Sequence, residues 1–250
     1  MTALLHTEGL TVAFGGVKAC DGISLDVHEG ELLGLIGPNG AGKTTFINAV
    51  TGFVPWSGTI AFDGSELKGL PPHRIAHRGL SRTWQSLELF GDISVRANLE
   101  VAATKLTPTM AIRDYFGSSQ RVAERVDQTI EALEMENIVN ARPDDLSMGY
   151  RKLVGVARAL VAQTKLVLLD EPAAGLDRTE TTWLAEKLRQ VIDYGISVLL
   201  VDHDMGLVLN VSDRIHVIDF GKTIAIGTPD EIRDNPAVIG AYLGTGGGDE

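Results

Sequence analysis

Leu32-Leu-Gly-Leu-Ile-Gly37-Pro-Asn-Gly-Ala-Gly-Lys-Thr44 decides the fold. Apolar residues fill nearly every position of 32–36, the pattern of a strand buried on both faces of a sheet. A glycine-rich turn follows, and a helix is expected from near Gly42 to about Thr51. Residues 37–44 fit G-x-x-x-x-G-K-[ST] between a strand and a helix, where that pattern has its physical meaning. A triphosphate concentrates negative charge, and backbone N–H groups in a glycine-rich turn converge on it with no side chains in the way. The opening helix adds its positive dipole end. On this reading Gly37, Asn39, Gly40, Ala41 and Gly42 cradle the phosphates of ATP, and Lys43 supplies a point charge for the β and γ phosphates. The Thr44 hydroxyl is a hard oxygen ligand for Mg²⁺, and Thr45 donates to the α phosphate.

Two strand-like stretches precede this unit, LLHTEGLTVAF and VKACDGISLDV, punctuated by Gly15-Gly16 and Glu29-Gly30. Residues 57–64 read as one more strand. From about residue 86 to 146 the strand signal fades. Val122, Val126, Ile130 and Leu133 then recur at helical spacing, so the middle third reads as a helical subdomain. Strands return at 165–170 and 196–202, separated by a helix with Leu184, Leu188, Val191 and Ile192 on one face. Strand, helix, strand in that order implies a parallel sheet with a crossover. Residues 214–227 read as a hairpin turned at Phe220-Gly221, and a short helix is expected around 235–243.

A length of 250 residues gives a prior of one large domain, or one with an appended subdomain. Twenty-two Lys and Arg against 33 Asp and Glu leave a net charge of −11, which disfavours unspecific binding to nucleic acid or anionic lipid. An anionic ligand therefore has to be held by a local device. One cysteine, Cys20, excludes an intramolecular disulfide and fits a reducing compartment. No apolar run approaches the roughly 18–20 residues that span a bilayer, so a membrane role is expected to come through a partner.

A phosphate loop needs a carboxylate to hold its metal. Lys165-Leu-Val-Leu-Leu-Asp-Glu171 offers two at the end of an apolar strand, and ligands collect at the carboxyl ends of parallel strands. Asp170 would orient Mg²⁺ through water, and Glu171 would polarise the attacking water as general base. His203 ends the next strand and reaches the same edge, where its imidazole could sense the γ phosphate. Gln85, after the strand LSRTW, is a candidate Mg²⁺ ligand through its amide oxygen. Phe14, after the first strand, could stack on adenine or simply be a core aromatic.

The ordered set of phosphate loop, Gln85, Leu146-Ser-Met-Gly-Tyr150, Leu169-Asp-Glu-Pro172, Ala174-Gly-Leu-Asp177 and His203 resembles the nucleotide-binding subunit of ATP-binding cassette transporters over nearly the whole chain. The resemblance implies an α/β fold: a P-loop NTPase core with a mainly parallel sheet, an N-terminal antiparallel β subdomain and an inserted α-helical subdomain. Residues 1–243 would form a single ATPase domain, with 1–85 and 160–243 as core and β subdomain, about 86–159 as the helical part, and 244–250 as a disordered tail. In that family the Leu-Ser-Gly-Gly-Gln signature begins a helix of one subunit and caps the γ phosphate bound to the other. Ser147 would be helix N-cap and phosphate donor, and Gly149 would allow close backbone approach. Met148 and Tyr150 depart from the family pattern, which predicts slower or partner-dependent hydrolysis. Asp177 would contact the opposite subunit.

Arg82-Thr-Trp-Gln-Ser-Leu-Glu-Leu-Phe90, Asn98-Leu-Glu-Val-Ala102 and the ending Gly227–Gly244 are similar to the branched-chain amino acid importers and their urea and amide relatives, and a similar ending occurs in a lipopolysaccharide export ATPase. This resemblance implies transmembrane permease subunits, a second ATPase subunit and an extracytoplasmic solute-binding protein as partners, with the chain peripheral on the inner face of the membrane. Residues around Trp84–Phe90 would receive the cytoplasmic loops of the permease. A soluble cassette ATPase acting on DNA or ribosomes is the rival reading. One phosphate loop, no heptad run and the acidic balance argue against it.

Overall fold

The computed structural model describes residues 3–83, 89–104 and 118–243. Strands β1 (Ala3–Phe14) and β2 (Val17–His28) form a long antiparallel ribbon, and β4 (Ser57–Phe62) and β5 (Ser65–Glu66) extend it into a sheet of order β2-β1-β4-β5. Between them come β3 (Leu32–Ile36) and α1 (Lys43–Val50), the strand and helix read from the phosphate-loop stretch. The first strand ends at Phe14, which pairs with Val17 across the turn, so Phe14 is the last residue of β1 and does not follow it.

A second sheet contains β3, β6 (Leu80–Thr83), β7 (Leu166–Asp170), β8 (Ser197–Val201), β9 (Arg214–Asp219) and β10 (Lys222–Gly227), in the order β10-β9-β3-β8-β7-β6. Every pairing in it is parallel except the β9–β10 hairpin, which turns at Phe220-Gly221. Its central strands alternate between two apolar cores. Leu32, Ile36, Val167, Leu169, Val198 and Leu200 face one, while Leu33, Leu35, Leu166, Leu168, Leu199 and Val201 face the other. This alternation explains the unbroken apolar runs, since a strand covered on both sides has no polar face to show.

The first core also receives α3 (Val95–Ala103), α4 (Ser118–Ala132), α5 (Met148–Val161), α6 (Arg178–Asp193), α7 (Met205–Val211), α8 (Pro229–Arg233) and α9 (Pro236–Leu243). The second core lies under the antiparallel sheet and α1, with Phe46, Phe62 and Ile60 fully buried. The short helix α2 (Pro72–His77), a 3-10 turn at Pro143–Asp145, α7 and α8 are elements that the periodicity did not single out. The expected tail at 244–250 and Gln85 lie outside the described residues.

Candidate nucleotide site

The parallel strands bring the candidate chemistry to one sheet edge. Leu35 pairs with Val201, and Val201 with Asp170, so the loop after β3, the turn after β8 and the end of β7 lie side by side. Thr83, the last residue of β6, pairs with Leu169 and brings the chain that leads to Gln85 to the same edge. Parallel strands share direction, so their carboxyl ends and the loops that leave them meet in one crevice.

Helices α3, α5, α6, α7 and α8 each begin on a side-chain oxygen, from Ser94, Ser147, Asp177, Asp204 and Thr228. Helices α1 and α2 do not: α2 follows Pro71 and opens on Pro72, whose ring nitrogen has no N–H to cap, while α1 starts at Gly42 with no side-chain cap. The amides of the first turn of α1 are thus left without a side-chain acceptor, the property that makes a helix start an anion site. Gly42 itself sits at φ 106°, and a Cβ there would lie 2.2 Å from the Ala19 carbonyl oxygen. Asn39, Gly40 and Thr44 are exposed, Thr45 is half-buried and Ala41 is buried.

Lys43 is 7% exposed, and its Nζ donates to the carbonyls of Gly37 (2.6 Å) and Pro38 (3.0 Å). Burial pulls its pKa below the ordinary lysine value, while the negative charges of Glu171, Asp170 and Asp202 oppose that shift. The cation and three carboxylates therefore share one electrostatic neighbourhood.

Asp170 is 3% exposed. Its Oδ2 accepts from Arg82 Nη2 at 2.8 Å, and its Oδ1 is buried with no hydrogen-bond partner among the described residues. Glu171 takes φ +50°, a strained value for a side chain of this kind, and its amide donates to the Val201 carbonyl at 2.7 Å. Its Oε1 lies 3.9 Å from His203 Nδ1, which also stands 3.6 Å from Asp202 Oδ1. Phe14 is half-exposed at the turn between β1 and β2.

Ser147 caps α5 by accepting from the Tyr150 amide, and Asp177 caps α6 in a reciprocal box with Glu180. Both cap residues are exposed. Among the described residues no hydrogen bond joins Ser147, Gly149 or Asp177 to the phosphate loop of the same chain. Helix α5 nevertheless reaches the sheet edge through Lys152, whose Nζ donates to the Glu171 carbonyl at 3.2 Å.

Three further groups were missed by the sequence reading. Asp202, 1% exposed, accepts from the amides of Ala173, His203 and Asp204 and ties the turn after Glu171 to the end of β8. Asn98, fully buried, both accepts from the Phe90 amide and donates to its carbonyl, holding a half-exposed Phe90 that lies under the Arg158 guanidinium. Tyr242, on α9, lies near the Gly37 backbone; burial pushes its pKa up to about 12, against the opposing influence of that backbone.

A family model described as ABC transporter matches residues 20–174, more than half of the chain. The chain belongs to the ABC transporter family. A second model, described as branched-chain amino acid ATP-binding cassette transporter, matches residues 222–247, the segment that contains Tyr242. This cassette is 40% identical to the high-affinity branched-chain amino acid transport ATP-binding protein BraF of Pseudomonas aeruginosa, over 96% of this chain and 98% of that one. It is 36% identical to the lipopolysaccharide export system ATP-binding protein LptB of Escherichia coli, over 97% and 98% of the two chains. Among solved structures, the ADP conformation of MJ1267, an ATP-binding cassette of an ABC transporter, superposes with a TM-score of 0.84 at 28% identity, covering 98% of this chain and 100% of that one. The cassette thus has the fold and the ATP-binding domain of transporter ATPases, and no helix among its described residues is long and apolar enough to cross a membrane.

Proposed function

We propose that this cassette is the ATP-hydrolysing subunit of a membrane transporter that imports branched-chain amino acids or related small solutes. The observation that carries the ATPase reading is the uncapped start of α1 beside Lys43, Asp170 and Glu171 at one sheet edge. The phosphates of ATP would lie on the amides of 37–45, with Lys43 exchanging its bonds to the Gly37 and Pro38 carbonyls for phosphate oxygens. Phe14 would stack on the adenine. Glu171 would take the proton of the attacking water, and His203 would stand beside it against the γ phosphate.

Thr44, Gln85 and Asp170 would hold Mg²⁺. The buried Oδ1 of Asp170, which has no hydrogen-bond partner among the described residues, and the hydroxyl of the exposed Thr44 are hard oxygen donors that suit this ion. When bound, the ion would neutralise charge on the β and γ phosphates.

Ser147, Gly149 and Asp177 would complete the site of a second, identical or related, ATPase subunit. That no hydrogen bond among the described residues ties them to the phosphate loop of their own chain supports this. ATP then bridges two subunits, and its hydrolysis reopens the pair. Leu89 and Phe90 would meet the cytoplasmic loops of the permease, with about 86–159 as the helical subdomain. The clamp of Asn98 on the Phe90 backbone supports that reading. The cassette would sit on the inner face of the membrane, with a solute-binding protein on the other side and no nucleic acid among its partners. LptB-like export is the second reading, favoured by the 36% identity. The match over 222–247 and the higher identity to BraF favour import.

Steady-state ATPase assays on the parent, Lys43→Ala and Glu171→Gln test the hydrolysis reading. Turnover in the parent, lost in both variants with nucleotide binding retained in Glu171→Gln, is the expected result. Hydrolysis that persists in Glu171→Gln would remove the assigned base. Reconstitution with the co-purified permease, followed by uptake of labelled leucine, tests the solute.

A further inference from the structure

Arg82 is the penultimate residue of β6, and the sequence reading gave it no task. Its side chain is 7% exposed and that of Asp170 is 1% exposed, so the ion pair between them is shut off from solvent. Nη2 donates to Asp170 Oδ2 at 2.8 Å, while Nη1 donates to Asn48 Oδ1 on α1. One guanidinium therefore joins three elements: the strand leading to Gln85, the strand ending in Asp170, and the helix that opens at the phosphate loop.

The carboxylate torsion of an aspartate is soft and roughly two-fold, so nothing in Asp170 itself fixes where Oδ1 points. A guanidinium bound to Oδ2 does fix it. A buried carboxylate oxygen with no partner is costly, and Oδ1 has none among the described residues. A lysine ammonium could neutralise Asp170 but could not donate in two fixed directions at once, which is what the planar fork does here.

We infer that Arg82 is a positioning residue: it orients Asp170 for the Mg²⁺ of bound MgATP and registers that carboxylate against α1 through Asn48. This inference rests on the ATPase reading above. Through β6, Arg82 also ties the position of Asp170 to the strand that ends at Thr83.

The test measures binding of ribose-labelled fluorescent ATP at graded Mg²⁺ and in EDTA, for the full chain and for Arg82→Lys, Arg82→Ala and Asn48→Ala. Metal-ligand orienters typically alter metal affinity by 10- to 100-fold, so Arg82→Lys should raise the half-saturating Mg²⁺ about tenfold and change affinity in EDTA by less than about twofold. Asn48→Ala should shift the Mg²⁺ dependence in the same direction and by less. On an Asp170→Asn background the Arg82→Lys effect on Mg²⁺ should vanish, since the two residues act on one site. An unchanged Mg²⁺ dependence in Arg82→Lys, or equal losses with Mg²⁺ and with EDTA, overturns the inference and leaves Arg82 a structural ion pair. Arg82→Ala removes one partner of a buried pair and can fail to fold; Arg82→Lys then decides. A parent chain that binds no nucleotide in either condition sinks the ATPase reading itself.

Discussion

Tyr150 meets Trp183 edge to face, with ring centroids 5.0 Å apart and planes at 67°. Tyr150 stands in the first turn of α5, three residues after its cap Ser147, and Trp183 stands six residues after Asp177, the cap of α6. One of the two residues at which this cassette departs from the family signature therefore packs on the helix that begins at Asp177. Asn137 adds a long hydrogen bond to the Tyr150 hydroxyl at 3.4 Å.

Aromatic pairs of this geometry contribute about 0.5–1.5 kcal/mol beyond the area they bury. Tyr150→Ala should lose that contact and loosen the presentation of Ser147, lowering ATPase turnover several-fold while ATP affinity of the isolated chain stays near the parent's. Tyr150→Phe keeps the ring and should keep most of the turnover. Comparison of kcat with nucleotide binding for the two variants checks this, and parental kcat in Tyr150→Ala would dissociate the stack from catalysis.

Asp202 should matter for stability as much as for turnover. Three backbone amides converge on its carboxylate, from Ala173, His203 and Asp204, in a site that is 1% exposed. Asp202→Ala strands those donors, and hydrogen bonds to a buried charged group contribute about 1.5–3 kcal/mol each before relaxation. We expect a loss of about 3–5 kcal/mol, within the range found when a buried network is broken. Asp202→Asn can still accept from two amides through its oxygen but turns an NH₂ toward the third, so its loss should be smaller. Urea unfolding with a common m-value measures both, and a neutral Asp202→Ala would refute the network.

The contrast between what the sequence disclosed and what it hid follows from the range of the interactions. The β3, phosphate loop and α1 unit was legible because a glycine pattern, an apolar strand and a helix start are local, lying within 32–50. Asp170, Glu171 and His203 were legible as strand ends. Asp202 sits beside His203 yet escaped notice, since its partner at Ala173 is 29 residues away and is a backbone amide with no side-chain signature. Arg82 and Asp170 are separated by 88 residues, and Tyr242 reaches Gly37 from the far end of the described chain. Met148 and Tyr150 were visible as departures, but Trp183 as the ring that receives Tyr150 was not, because α6 shows only its apolar stripe to a periodicity count.

His216 supplies a pH prediction away from the site. It is 2% exposed on β9, with Nε2 2.7 Å from Thr223 Oγ1. Burial, helped by the charge of Arg214, lowers its pKa from 6.5 to about 4. The folded chain thus holds a neutral imidazole where the unfolded chain takes up a proton. As pH falls from the unfolded value toward the folded one, protonation favours the unfolded state, and stability drains away by about 3 kcal/mol in total. His216→Gln can keep a hydrogen bond to Thr223 and cannot protonate. Its stability difference from the parent should therefore shift in favour of the variant as pH is lowered from about 7 to about 4.5 in urea titrations. Parallel acid profiles for the two chains would mean that His216 is not what titrates.

Two glycines at the two halves of the site should respond differently to the same methyl group. At Gly42 the added Cβ would fall 2.2 Å from the Ala19 carbonyl oxygen, and φ is 106°, so both the backbone conformation and a rigid neighbour oppose it. Gly42→Ala should therefore displace the loop or the start of α1 and abolish ATP binding, even where the chain stays folded. At Gly149 no positive φ is involved, and the nearest atom is Glu180 Oε1 at 3.3 Å, the end of a flexible side chain that can swing away. Gly149→Ala should fold with a loss below about 1 kcal/mol, since a side-chain rotation relieves the contact and alanine favours a helix over glycine. The displaced Glu180 is, however, the reciprocal partner of Asp177 in the cap of α6. The cost of Gly149→Ala should thus appear in turnover, with ATP binding by the single chain intact. Thermal unfolding, nucleotide binding and kcat measured on both variants separate the cases. Loss of single-chain ATP binding in Gly149→Ala would show that α5 contributes to the phosphate site of its own chain.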